Sequence, residues 1–239
     1  MNVTYKEYRA QTPLGTLMDH SYMGYIASAL SPFTSIACMK FNLRPNTITL
    51  LMIITGVIGG VVMMIPSPWA NILSTFIYIL WFTFDCSDGE VARFTKTFSK
   101  GGKYLDWCAH LLTHSLFIVA MWTTMYYWMP EHNLLTTIVS FMFLAAELIG
   151  RNRIAMDTLY GNIENTPYNS GLNISLPYWL YWNVVYFPNI LLFVPVLTGL
   201  SILFEWSWLY WVYIGWALLY SVVMFRIFLM FIWRMYKSK

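Results

Sequence analysis

Six stretches of this chain, roughly 46–66, 69–92, 103–129, 134–153, 179–203 and 208–235, are predominantly apolar. About 20 such residues carry a helix across the hydrocarbon of a bilayer. Lipid offers the backbone no hydrogen-bonding partner, so each stretch must satisfy its own N–H and C=O groups, and a helix does that. The pattern predicts an all-α integral membrane protein of six transmembrane helices with an N-terminal interfacial helical segment. Composition agrees, because 58% of the 239 residues are hydrophobic and 10% are charged. So little polar surface cannot cover a water-soluble globule.

The 14 lysines and arginines sort themselves by span. Lys6, Arg9, Lys40 and Arg44 precede the first, and Arg93, Lys96, Lys100 and Lys103 join the second to the third. Arg151 and Arg153 follow the fourth, while Arg226, Arg234, Lys237 and Lys239 end the sixth. The connections on the other side, 66–70, 129–133 and 204–208, have none. Basic residues mark the cytoplasmic side, so both termini and the second-to-third junction are expected there. Residues 1–41 are read as a cytoplasmic or interfacial segment without a cleavable signal, and 42–239 as the membrane domain. Within the first part, 22–41 is apolar but interrupted at Ser31-Pro32, which suits an interfacial or re-entrant helix; a seventh span would spoil the charge partition. Cys38, Cys86 and Cys108 have neither metal-ligand spacing nor an even count for disulfides. No nucleic-acid partner is expected.

Against this background Asp85-Cys86-Ser87-Asp88-Gly89-Glu90-Val91-Ala92-Arg93, followed by Gly102, Asp106 and His110, stands out. Ionisable side chains inside apolar spans are costly and point to function. Asp85 and Asp88 are three apart and Asp106 and His110 four apart, so each pair shares a helix face. The second span runs inward and the third outward through a short basic loop, which brings the pairs to one depth. Asp85, Asp88, Asp106 and His110 are therefore expected to line one cavity. Carboxylates crowded there need a cation, and an oxygen-rich set suits Mg2+ or Mn2+ better than Zn2+. Gly89 and Ala92 leave room beside the helix and Arg93 adds a fixed positive charge, a combination that suits a diphosphate.

The pattern D-x2-D-G-x2-A-R-x8-G-x3-D-x3-D characterises the CDP-alcohol phosphotransferases, and the chain resembles it at Asp85, Asp88, Gly89, Ala92, Arg93, Gly102 and Asp106, with every spacing intact. The six-helix layout and Pro45-Asn46 ahead of the first span are similar too, so the resemblance covers most of residues 40–239. It implies a homodimeric membrane enzyme of phospholipid or related head-group synthesis. Such an enzyme moves a phosphoalcohol group from a CDP-alcohol donor to an alcohol acceptor, one of them a lipid, and releases CMP. By resemblance, Asp85, Asp88 and Asp106 hold the metal, and Gly89, Ala92, Arg93 and Asn46 belong to the nucleotide site.

The eighth position, an aspartate in the family, is His110 here. An imidazole can take a proton from an alcohol at neutral pH and can ligate a metal, so His110 is a candidate for general base and for ligand. It brings no fourth negative charge, which leaves a second reading: a relative that binds metal and nucleotide without turnover, as a partner or sensor. His114, one turn on, could orient His110 or relay its proton; a buried, hydrogen-bonded histidine is the favoured reading. Glu147 is expected to pair locally with Arg151, and Arg151 and Arg153 either bind a phosphate or anchor the helix end. The connection 157–177 is long, and Tyr160, Asn165, Asn169 and Asn173 could recognise hydroxyls from it. Gly56 and Gly60 are spaced for close helix packing.

Overall fold

The computed structural model describes residues 3–14, 21–160, 176–205 and 207–237, and among them there are helices and turns but no strand. The helices are α1 (Tyr5–Gln11), α2 (Tyr22–Lys40), α3 (Pro45–Met63), α4 (Pro68–Thr95), α5 (Gly102–Trp128), α6 (Asn133–Tyr160), α7 (Leu176–Val185), α8 (Ile190–Phe204) and α9 (Trp208–Lys237). Among the described residues six apolar spans are long enough to cross a bilayer: Pro45–Met63, Pro68–Thr95, Gly102–Trp128, Pro130–Arg153, Phe187–Phe204 and Trp208–Trp233. The protein is an all-α integral membrane protein, as the apolar runs predict. Asn165, Asn169 and Asn173, and the side chain of Tyr160, lie outside the described residues.

Helix α4 is central, packed by α3, α2 and α8, while α5 lies against α3 and α6, and α6 against α9. Prolines open α3 and α4, where a missing N–H costs no helical bond. Lys96 ends α4 in a left-handed conformation at φ 55°, and α5 turns back from Gly102. Three of the hydroxyls in the apolar run of α4 are satisfied within it, while Ser74 donates to the Gly59 carbonyl of α3 at 2.7 Å. Thr75, Thr83 and Ser87 each donate to the carbonyl four residues back, at 3.1, 2.7 and 2.7 Å. Gly56 of α3 lies against Trp81 of α4 and Thr113 of α5, where no side chain fits without a shift.

Two prolines set the details that the apolar pattern left open. Pro32 cannot bond the Ser28 carbonyl, yet α2 continues through it. That carbonyl instead accepts from Ser31 Oγ at 3.1 Å and from the Arg9 guanidinium of α1. Pro188 cannot bond the Val184 carbonyl, which accepts from Trp216 Nε1 of α9 at 2.7 Å. Here the chain does break, so the fifth apolar stretch becomes α7, a 3-10 turn at Phe187–Asn189, and α8. The break has a use. Asn183 Oδ1 and Asn189 Oδ1 accept from the Tyr22 and Met23 amides at 2.8 and 2.9 Å, satisfying N–H groups that the first turn of α2 leaves open.

Candidate active site

The site lies where α4 ends and α5 begins. Helices α4 and α5 both pack on α3, which sets Asp85 beside His110, whose Nε2 lies 3.0 Å from Asp85 Oδ1 and 3.5 Å from Asp106 Oδ1. Each of these three residues offers one ligand atom within 4.8 Å of the others. Asp106 Oδ1 is buried without a hydrogen-bond partner among the described residues. Two carboxylates and one imidazole, with a buried oxygen left over, fit a divalent cation. A lone imidazole lone pair set against two carboxylates would be repulsive, so this trio requires either a proton or a metal between its members.

Asp88 is not part of that trio. Its Oδ2 accepts from Thr49 Oγ1 of α3 at 2.5 Å, because a residue three positions on from Asp85 is rotated toward α3 rather than α5. The space expected over Gly89 is taken by Arg93, whose Nη1 would lie 3.1 Å from a β-carbon at Gly89. Glycine there lets the otherwise exposed guanidinium fold back along the helix. Asn46, at the start of α3, accepts from Ser99 Oγ at 3.0 Å and so ties the α4–α5 connection to α3. Ala92 is half-buried on the same end of α4.

Behind the trio runs a buried polar network. His110 Nδ1 lies 3.4 Å from His114 Nε2, and His114 Nδ1 lies 2.7 Å from Glu147 Oε1 on α6. Glu147 also accepts from Arg151 Nε at 2.9 Å and from the Tyr220 hydroxyl of α9. The Glu147–Arg151 pair thus forms as its spacing predicts, and it draws Arg151 into the network. Arg151 Nη2 stands 2.9 and 3.2 Å from the two nitrogens of His114. Arg153 has its guanidinium 5.8 Å from the centre of the Phe231 ring, where α9 passes.

One charged residue in the motif run escaped the reading of spacing altogether. Glu90 is buried and accepts from Tyr8 Oη at 3.0 Å, Ser31 Oγ at 2.7 Å and Ser35 Oγ at 3.2 Å. Three neutral donors on α1 and α2 hold it, so it clamps those helices onto α4. Its signal was present, since a carboxylate in an apolar span needs partners wherever it sits.

The model of the CDP-alcohol phosphatidyltransferase family matches residues 42–195, a region that contains Asp85, Asp106 and His110. No curated protein matches the chain.

Proposed function

The chain belongs to the CDP-alcohol phosphatidyltransferase family, and from that premise we propose that it transfers a phosphoalcohol group from a CDP-alcohol to the hydroxyl of an acceptor, releasing CMP. The family supports phosphoalcohol transfer in phospholipid synthesis, and the six spans place the protein in a membrane. The observation that carries the finer reading is the convergence of Asp85, Asp106 and His110 at the junction of α4 and α5.

In this reading Asp85, Asp106 and Nε2 of His110 hold Mg2+ or Mn2+, and Asp88, fixed by Thr49, adds its charge alongside. A divalent cation bound there offsets the charge of the diphosphate and of the departing phosphate. Gly89, Ala92, Arg93 and Asn46 form the nucleotide site, with the Arg93 guanidinium able to leave Gly89 for a phosphate oxygen. The acceptor oxygen attacks the phosphorus that bears the alcohol. One P–O bond forms, the P–O bond to CMP breaks, and the hydroxyl proton passes to the Asp106 carboxylate oxygen that does not face His110. His110 serves as a ligand rather than the base, since one lone pair cannot hold a metal and take a proton at once. The partition of Lys and Arg supports a site and termini on the cytoplasmic side, and the family likeness supports a homodimer.

The test is CMP release by the purified protein in lipid nanodiscs with Mg2+ or Mn2+, across pairs of CDP-alcohols and acceptors, with Asp88→Asn as control. Metal-dependent release that needs one donor–acceptor pair and vanishes in the control is expected. A folded protein that binds the metal and CDP yet releases nothing with any pair would favour the non-catalytic partner or sensor.

A further inference from the structure

We infer that Glu147 and His114 are positioning residues for the metal site: they hold a proton on Nδ1 of His110, which directs the Nε2 lone pair at Asp85 and Asp106. This rests on the ligand reading of those three residues.

Glu147 is only 3% exposed in the interior of the bundle. Arg151 Nε at 2.9 Å balances its charge, and the Tyr220 hydroxyl donates to its other oxygen. A carboxylate held this way accepts and cannot donate. His114 Nδ1, 2.7 Å from it, must therefore carry a proton. Arg151 Nη2 does not contest that position. It lies at nearly equal distances, 2.9 and 3.2 Å, from two ring nitrogens whose lone pairs diverge, so it stands against the ring and not along either lone pair.

With its proton on Nδ1, neutral His114 offers Nε2 as an acceptor. The atom facing it is His110 Nδ1, at 3.4 Å, the longest link of the chain. A proton on that atom completes the sequence of donors. The remaining nitrogen of His110 then faces Asp85 at 3.0 Å and Asp106 at 3.5 Å. The competing tautomer would donate from Nε2 to Asp85 and close the metal position with a hydrogen bond. Metal-bound histidines are commonly oriented by a partner on the second nitrogen. Here that partner is a second histidine, itself fixed by a carboxylate from another span.

A packing role for His114 makes a different forecast. The ring is 1% exposed, 4.3 Å from the Phe187 ring centre and 5.4 Å from that of Trp81, a setting in which phenylalanine is at home. If His114 serves only the interior, His114→Phe lowers stability, because Glu147 loses a donor, and leaves Mn2+ affinity alone. If it positions His110, affinity falls in His114→Phe and holds in His114→Gln, because the Gln carbonyl still accepts from Nδ1–H and Phe does not.

The experiment measures Mn2+ affinity of the substrate-free protein in nanodiscs by the EPR signal of free Mn2+. Wild type, His114→Phe, His114→Gln and His110→Ala are compared after matching size-exclusion profiles and melts. His114→Phe is expected to weaken binding about 10–100-fold, His114→Gln much less, and His110→Ala to lose it. Wild-type affinity in His114→Phe, with His110→Ala defective, overturns the positioning role and leaves the metal site standing. Wild-type affinity in His110→Ala overturns the ligand reading itself. A second readout needs no variant: 15N spectra of the metal-free wild type should show the His110 proton on Nδ1, and a neutral His110 with its proton on Nε2 refutes the inference.

Discussion

One methyl group at Gly56 tests how tightly the three helices around the site are built. A β-carbon there would lie 2.4 Å from Thr113 Cγ2, 2.8 Å from Trp81 Cδ1 and 3.0 Å from Thr113 Cβ. Carbon atoms pack at about 3.5–4.0 Å, so the neighbours would have to yield by roughly an ångström. Neither can do so alone. Thr113 is branched, fully buried and held by its hydroxyl's 2.7 Å bond to the Ala109 carbonyl. Trp81 is 1% exposed, with Tyr78, His110 and His114 at ring-centre distances of 6.0, 5.5 and 5.4 Å. Helix α3 must therefore back away from the α4–α5 pair. Overpacking of this kind costs about 1–3 kcal/mol, and two rigid neighbours put Gly56→Ala in the upper half of that range. Gly60 is the internal comparison. A β-carbon there would meet Leu116 Cγ at 2.5 Å and Cδ2 at 2.7 Å, but a half-buried leucine can change rotamer. SDS titration of both variants in one lipid mixture should find Gly56→Ala the less stable. Equal stability to wild type, or a larger loss in Gly60→Ala, would refute the packing argument. Because Trp81 edges both histidines, Mn2+ affinity should also fall in Gly56→Ala and hold in Gly60→Ala.

Tyr8→Phe removes one of the three hydroxyls on Glu90 and leaves Ser31 and Ser35 in place. A hydrogen bond to a charged group is worth about 1.5–3 kcal/mol, and the two remaining donors place this loss near the lower figure. Hydrogen exchange should quicken in α1 and not in α4; unchanged exchange in α1 would show that the hydroxyl is no anchor. His110→Ala should abolish Mn2+ binding and, with the ion, turnover, while His110→Asp, which puts a carboxylate in its place, keeps the ion. Loss of turnover with binding intact would make Nε2 the proton acceptor instead.

The spans and the motif could be read from the sequence because both depend on local rules. A run of about 20 apolar residues has few alternatives in lipid, and residues three or four apart share a helix face wherever the helix packs. That rule is coarse, however. It puts Asp85 and Asp88 on one face but cannot say that the packing partner of Asp88 is Thr49 on α3, while Asp85 turns to α5. The remaining surprises are long-range. The carbonyls orphaned by Pro32 and Pro188 are served by donors far away in the chain, Arg9 and Trp216, which no local rule reveals. The second role of Glu147 depends on His114 and Tyr220, which spacing on α6 cannot reveal. Glu90 was legible in principle, since its charge sits in the same apolar run that made the aspartates conspicuous.

The shared part of this protein and its portable part are not the same piece. The family match begins at residue 42, so the natural segment to graft or exchange between relatives would start there. Yet Tyr8, Ser31 and Ser35, every hydroxyl donor to Glu90 among the described residues, lie ahead of that cut. A chimera joined at residue 42 would import a carboxylate into the membrane and leave the hydrogen bonds that hold it behind. The seam that respects the chemistry runs before Tyr8, and exchange of α4 between relatives should succeed only when α1 and α2 travel with it.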